Sequence, residues 1–499
     1  MRNENSWSNL GKLTNATKAR DVIAIVDCSS EGVPLMLTHG QLDDLADACA
    51  RGLLARGYRR GDAIGLMSAN CAEFLIAYLA ILRAGMIAVP VNHKLSSETV
   101  SFILADCGAK AVFVDDPRIG LVPAGVDGMP LNGPVWDALL DFGPFDAIEP
   151  ERDECAMILY TSGSTGRPKG VQLSHDGQIW TVKARFATRQ SFDEERMIVA
   201  APLFHMNALA ACKFALSAHA SVVLMPQFQA KTFIEAIGKF SVTWVTSVPT
   251  MMAMVVRETD ALASIDTSAV RYVRMGSAPA TPQLYAAVQA AFPNATIAGG
   301  YGTTEGGPIT FGPTQGRKLP VGGGLGWPLP GVEARLINES GQDAHEGELW
   351  LRTPANMSGY LNMPERTAEV LTPDGWYKTG DIFKCDANGC FHFVGRADDM
   401  FNCGGENIYP GEVEQVIEKM PEVLQACVLP VPDEIKGQKP VAFVVLRDGQ
   451  HVTEEDIKRF TLANAPAYQH PRRVYFIDAM PLAATNKIDR NALRVRIPD

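Results

Sequence analysis

From Asp62 onward the chain switches repeatedly between two hydrophobic periods. Continuous apolar runs at 63–67, 86–91 and 110–114 read as buried strands, and the apolar-faced stretches 72–82 and 98–106 between them read as helices. Strands that alternate with helices imply parallel pairing, with the helices lying on the sheet faces. The same alternation returns farther on, with strands near 197–201, 221–225, 242–246, 270–275 and 295–298 and helices such as 280–291 between them. The Pro/Gly-rich piece 117–144 reads as a long surface connection. After Gly326 the texture changes to shorter β-like pieces at 332–337, 347–352 and 391–394, separated by Gly, Pro and Asp. A polar, glycine-rich stretch, GRADDMFNCGGEN, then breaks the pattern. Beyond it the chain predicts a helix over 411–420, strands near 423–431 and 441–446, a helix over 454–462 and a strand over 473–477. The expected fold is α/β. A large N-terminal body of parallel-type sheets covers 1–395, with a small β subdomain at about 327–395. A junction at 396–400 leads to a small α+β C-terminal domain over 401–499.

Composition narrows the function classes. With 499 residues, 46% hydrophobic and 20% charged, the chain can bury a large core in more than one domain. A formal charge of −11 argues against a general nucleic-acid or anionic-membrane surface, so any phosphate must be met by a local pocket. The ten cysteines form no C-x-x-C pair, and no histidines stand at metal-ligand spacing, which fits reduced thiols in a cytoplasmic protein. The N-terminus lacks the apolar core of a signal peptide, and the longest apolar run, 74–82, is far too short for a membrane span.

The stretch YTSGSTGRPKGV, from Tyr160 to Val171, holds the densest candidate chemistry. Thr161, Ser162, Gly163, Ser164, Thr165 and Gly166 supply hydroxyls, amides and a bendable backbone, and Lys169 adds an ammonium. A donor-rich turn leaving a buried strand is suited to phosphate oxygens. It does not close in Gly-Lys-Ser or Gly-Lys-Thr, so it is not the loop of ordinary GTPases and ATPases. A second run, GGYGTTEG from Gly299 to Gly306, follows another predicted strand. Its glycines allow a planar base to approach the backbone, Tyr301 offers a ring face, Thr304 a donor and Glu305 a carboxylate able to hold Mg2+. Taken alone it reads as a plain turn between a strand and a helix.

The loop at 160–171 resembles, residue for residue, the phosphate loop of the adenylate-forming superfamily, which holds acyl-CoA synthetases, the adenylation domains of peptide synthetases and the beetle luciferases. GGYGTTEG is similar to the family's second signature, and the resemblance extends in order to Lys487. It implies that Glu305 holds Mg2+, that Gly300, Tyr301, Gly302, Thr303 and Thr304 lie along AMP, and that Ser277, Ala278 and Pro279 form the adenine and acyl-pocket loop. By the same resemblance Asp381, in YKTGD, binds ribose, Arg396 is a second ribose and phosphate contact, and Asp398 is the hinge about which the C-terminal domain rotates. Gly404, Gly405 and Glu406 would line the pantetheine tunnel for coenzyme A. His205 would lie beside the activated carboxylate, and Lys487, in TNKI, would be the catalytic lysine. Phe204, Asn207 and Gly299 would shape the acyl pocket. Small residues at Gly299 and Gly300 leave room for an aromatic ring or a medium chain, and no Lys or Arg in these stretches awaits a second carboxylate.

The implied activity is an ATP-dependent, AMP-forming acyl-CoA synthetase acting on an apolar aryl or medium-chain monocarboxylate through acyl-AMP. ATP, Mg2+ and coenzyme A are expected, with no nucleic acid and no membrane span. The alternatives are a peptide-synthetase adenylation domain or other adenylating enzyme that loads a carrier protein, an oxidative luciferase, and a catalytically silent nucleotide-binding regulator. No carrier domain is expected to follow Asp499.

Overall fold

A computed structural model describes residues 7–14, 18–30, 32–161, 167–186, 192–313, 324–483 and 487–498. Two large sheets organise the N-terminal body. One has nine strands, and its central run of Tyr272–Gly276, Trp244–Ser247, Arg196–Val199, Ser221–Leu224 and Ile23–Asp27 is parallel. The other has seven strands around parallel Ile87–Pro90, Ala63–Met67 and Ala111–Val114.

Helices His39–Ala55, Ala72–Arg83, His175–Phe186 and Met206–Ser217 fill the space between the sheets. Their apolar residues share one continuous core with Ile25, Val222 and Leu224 of the first sheet and Ile64, Leu66 and Phe113 of the second. The outer face of the nine-stranded sheet is covered by Ala230–Lys239, Pro249–Val255 and Pro282–Ala291, and that of the seven-stranded sheet by helix Ser97–Asp106. Strands buried on both faces explain why the sequence shows continuous apolar runs there rather than alternation.

The expected α/β class is observed. The piece 117–144 is not a bare connection: it contains the 3₁₀ turn Asp116–Leu121, strand Asp127–Pro130 and helix Gly133–Asp137, and the strand extends the seven-stranded sheet parallel to Ala111–Val114. Asp-Gly-Met-Pro has too little apolar content to be legible as a strand, and its edge position tolerates that.

A four-stranded antiparallel sheet, Glu333–Ile337, Glu346–Arg352, Tyr377–Cys385 and Phe391–Arg396, packs around Phe311, Phe383 and Phe391. The C-terminal region forms its own sheet from Phe401–Cys403, Glu406–Ile408, Val423–Asp433, Gly437–Leu446 and Val474–Phe476, with cores on both faces. It rests on the body where Tyr409 covers Gly395 and where Lys384 reaches Glu346 at 3.3 Å and Glu412 at 3.5 Å.

Candidate active site

The residues predicted to meet phosphate are brought together by strand pairing. Strand Cys155–Thr161 pairs antiparallel with Lys169–Ser174, and Thr161 lies opposite Lys169, so the intervening loop joins two antiparallel strands. Ser162, Gly163, Ser164, Thr165 and Gly166 lie outside the described residues. Thr161 Oγ1 is buried with no hydrogen-bond partner among the described residues. The Lys169 ammonium stands 3.4 Å from the Tyr360 hydroxyl and 4.4 Å from that ring's centroid. Tyr360 in turn donates to Glu305 Oε1 at 3.0 Å. Tyr360 reaches this point because the two-residue strand Gly359–Tyr360 adds to the edge beside Lys169–Ser174. Partial burial pushes the Lys169 pKa down, and the Glu305 charge opposes that.

Residues 299–306 end strand Thr296–Thr303 and turn directly into the antiparallel strand Gly307–Gly312, with Tyr301 opposite Phe311 and Thr303 opposite Gly307. The run is therefore a hairpin, not the turn from a strand into a helix that its sequence alone suggested. Thr303 Oγ1 accepts the Gly306 amide at 2.8 Å, which tightens the turn that holds Thr304 and Glu305. Gly302 has no space for a Cβ, which would stand 2.3 Å from the Pro308 carbonyl carbon. Ser277, Ala278 and Pro279 leave the neighbouring strand, where Gly276 lies opposite Gly300. Ser277 adopts the left-handed region at φ 69°, an uncommon conformation for a residue with a side chain.

Asp381 is 4% exposed and receives the Tyr301 hydroxyl at 2.5 Å and the Arg396 guanidinium at 3.1 Å. Burial pushes its pKa up, and Arg396 and Tyr301 work against that. Arg396 faces Asp381 because their strands pair in that register, and its other nitrogen reaches Asp398 at 3.2 Å.

Among the residues predicted to shape an acyl pocket, Phe204 packs edge-on against His93 at 5.1 Å and beside His205 at 4.5 Å. His205 occupies the N-cap of helix Met206–Ser217, which also carries Asn207 in its first turn, and its Nε2 is buried without a partner among the described residues. Burial first, then the charges of Lys487 and Lys94, push the His205 pKa down to about 4, so the ring is neutral near pH 7. Lys487 follows Leu482 in a small loop closed by the Leu482–Ile488 bridge. It keeps exposed surface while protein surrounds it, as a side chain in an open cleft does. Those surroundings push its pKa down, Asp381 opposes that and Arg396 adds to it. The cleft thus gathers His205, Lys487, Asp381 and Arg396 from four separate stretches of chain.

The space beside Gly299 and Gly300 is not simply empty, as their small size suggested. A Cβ at Gly299 would stand 2.6 Å from the Tyr285 hydroxyl, and one at Gly300 would stand 2.5 Å from the Arg274 guanidinium. Sequence reasoning missed Tyr360, His93, Lys94, Arg274 and Tyr285. Each is an isolated polar residue in or beside an ordinary strand or helix, and only the pairing of distant strands brings it to the site.

The sequence model of the AMP-binding enzyme family matches residues 13–361, and that of the AMP-binding enzyme C-terminal domain matches residues 412–487. The chain belongs to the AMP-binding enzymes. It is 32% identical over 480 residues to an oxalate–CoA ligase of Arabidopsis thaliana, covering 91% of this chain and 92% of the relative. Among solved structures it is similar to ATP-bound MatB from Rhodopseudomonas palustris, at 27% identity and a TM-score of 0.89 over 98% of both chains. It is also similar to the anthranilate CoA ligase AuaEII in complex with anthranoyl-AMP, at 25% identity and a TM-score of 0.89 over 98% of this chain and 97% of that one.

In this AMP-binding enzyme the run Gly404-Gly405-Glu406 forms the exposed tip of the hairpin between Phe401–Cys403 and Glu406–Ile408. Both glycines need the left-handed region, at φ 65° and 95°. The tip's hydrogen bonds, from the Gly404 amide to the Lys436 carbonyl and from the Gly405 amide to Asn402 Oδ1, stay within the C-terminal sheet. No helix among the described residues is long and apolar enough to cross a membrane.

Proposed function

We infer that this AMP-binding enzyme is an ATP-dependent, AMP-forming acyl-CoA synthetase. The acid's carboxylate attacks the α-phosphorus of ATP, giving acyl-AMP and pyrophosphate, and the thiol of coenzyme A then displaces AMP to leave a thioester. Neither step needs a protein nucleophile, so the chain's work is positioning and offsetting charge. The observation that carries the reading is the convergence of Lys487, neutral His205 and the Asp381–Arg396 pair on one cleft.

Asp381, buried and oriented by Tyr301 and Arg396, is suited to accept the ribose hydroxyls. Lys169, held by the Tyr360 ring, and the unpartnered Thr161 hydroxyl point to the phosphate side, where the loop Ser162 to Gly166 would join them. The Lys487 ammonium would bridge the reacting carboxylate and the α-phosphate. Mg2+ fits at Glu305: Tyr360 engages Oε1, and among the described residues Oε2 has no hydrogen bond or ion pair, which leaves it to a cation. Bound there, the metal would neutralise phosphate charge. Asp398 would be the hinge and Gly404 to Glu406 the coenzyme A entry, within the domain limits 1–395, 396–400 and 401–499. The acid has an apolar body, aryl or medium-chain, set against Phe204 and the neighbouring aromatic rings. The ten cysteines and their reduced state fit a cytoplasmic location.

Pyrophosphate release across a panel of acids, with coenzyme A omitted and then supplied, tests the reading. Acid-dependent pyrophosphate without coenzyme A and a thioester with it are expected. Absence of pyrophosphate with every acid turns the reading to a silent nucleotide-binding regulator, and pyrophosphate without a thioester turns it to a carrier-loading enzyme.

A further inference from the structure

Arg274 has an unusual setting. It lies on strand Tyr272–Gly276, whose side chains alternate between two faces: Val273 and Met275 enter the core under the outer helices, and Tyr272 and Arg274 point the other way. The guanidinium is enclosed by protein yet keeps accessible surface, as a side chain on the wall of an internal hollow does. Among the described residues it makes no hydrogen bond and no ion pair, although a buried guanidinium carries five donors. Its fork lies against Gly300, where a side chain would collide with it.

The surroundings add positive charge. Arg185, the next guanidinium, donates to the Ala210 carbonyl at 3.5 Å and lies 4.6 Å from the Phe214 ring centroid. Lys213, 2% exposed, donates to Gln178 Oε1 at 2.6 Å. Burial pushes all three pKa values down, Arg274 to about 10 and Lys213 to about 7, and the Arg274 charge adds to the lowering at Arg185; no carboxylate among the described residues perturbs Arg274 or Lys213. Burying the Arg274 guanidinium without an anion is costly, and a ligand oxygen is the partner it lacks among the described residues. The Tyr285 hydroxyl, which lies against Gly299, likewise has no side-chain hydrogen-bond partner among the described residues.

Position decides which part of the ligand these groups meet. The nucleotide-side residues Ser277 to Pro279 and Tyr301 to Glu305 stand at or beyond the strand ends, whereas Arg274 lies two positions inside the sheet from Gly276, about 7 Å deeper. Trp244, tilted against Tyr272 at 4.8 Å, lies two positions deeper still, and with Phe214 it supplies an apolar wall beyond Arg274. We propose that the acid activated here carries an acceptor oxygen, ionised or phenolic, at the end of its apolar body remote from the reacting carboxyl, held by the Arg274 guanidinium with the Tyr285 hydroxyl beside it and the Arg185 charge behind. This rests on the acyl-activation reading and replaces the expectation that no arginine waits in the pocket.

The test is the specificity constant for pyrophosphate release by the full chain on matched pairs. In one series each unbranched aliphatic acid of about four to ten carbons is paired with its ω-carboxylate partner; in the other each aryl acid is paired with its para-hydroxy partner. A buried site built to bond a substrate oxygen rejects the analogue lacking it, so the oxygen-bearing member is expected to win by about 100-fold or more in one series, and the winning series identifies the oxygen. Arg274→Met, which keeps the space filled, is expected to raise KM for that acid more than it lowers kcat and to bring the ratio close to one. Tyr285→Phe is expected to reduce the ratio less. A wild-type ratio below about ten in both series overturns the proposal without any variant having to fold, as does an Arg274→Met ratio equal to the wild-type one. Absence of pyrophosphate with every acid, by contrast, overturns the acyl-activation reading itself.

Discussion

At the scale of the residue, the site is a set of charges whose neighbours decide what each can do. Glu305 accepts the Tyr360 hydroxyl on one oxygen, and in the proposed reading the other would meet a cation. Glu305→Gln keeps the volume and removes the charge, so Mg2+-dependent acyl-AMP formation is expected to fall by about 100-fold or more while AMP binding changes little. Pre-steady-state pyrophosphate release at saturating Mg2+ measures it, and a wild-type rate would remove Glu305 from the metal site. A second residue-scale effect concerns histidines far from the chemistry. His175 is 2% exposed, with Nδ1 accepting the Leu10 amide at 3.0 Å, and His39 is 3% exposed and stacked on His219 at 4.0 Å. Burial pushes both pKa values from 6.5 down to about 4. A folded-state pKa below the unfolded one means that the unfolded chain binds the proton first. The stability is therefore intact above pH 6.5 and is lost as pH falls toward 4, by up to about 3 kcal/mol for each ring. Urea midpoints at pH 7, 5.5 and 4.5 are expected to decline, and His175→Gln, which retains an acceptor, to flatten the decline.

At the scale of the element, the runs 160–171 and 299–306 each join two antiparallel strands toward one end of a sheet whose centre is parallel. A hairpin returns the chain on itself, so the proposed phosphate loop and Lys169 would be held by the same two strands. The turn that carries Glu305 depends on close approach of Gly302 to Pro308. Gly302→Ala would drive a methyl against backbone atoms at 2.3 and 2.4 Å, which cannot move aside as a flexible side chain would. ATP affinity is expected to fall at least tenfold, with a loss of about 1–3 kcal/mol in unfolding free energy. Calorimetric titration with ATP and a urea melt read the two effects; unchanged ATP affinity would show that the turn tolerates the methyl. The element-level reading of the sequence held best where strands are buried on both faces. Strand 63–67 matches Ala63–Met67, whereas 127–130 was missed because edge strands need no apolar run.

At the scale of the whole molecule, the proposed reading has Lys487 and the hairpin tip at Gly404 and Gly405, both in the C-terminal region, serve different moments. Here the Lys487 charge is felt by His205 and is itself influenced by Asp381, while the tip is exposed and, among the described residues, bonded within its own sheet. Rotation about Asp398 would exchange them. Lys487→Ala is then expected to slow acyl-AMP formation by about 100-fold or more, since one preorganised cation supplies a few kcal/mol to the transition state, and to leave thioester formation from supplied acyl-AMP nearly intact. Asp398→Pro, which stiffens the junction, is expected to do the reverse. Single-turnover assays of each half-reaction decide it, and equal loss in both halves for Lys487→Ala would sink the exchange.

The order of strands and helices, the α/β class and the signature residues were all written locally, because hydrophobic period, turn chemistry and short motifs act over a few neighbouring positions. Tyr360 between Lys169 and Glu305, Arg274 behind Gly300, and the Asp381–Arg396 register had no local signature. They arise from pairings between strands far apart in sequence, and the side chain that fills a given space is chosen only when those strands meet. The identity of the two glycines at 299 and 300 was legible; that the room they leave is claimed by a hydroxyl and a guanidinium was decided by the fold. Close packing makes the difference, since space beside a glycine is occupied by whatever neighbour the tertiary structure brings to it.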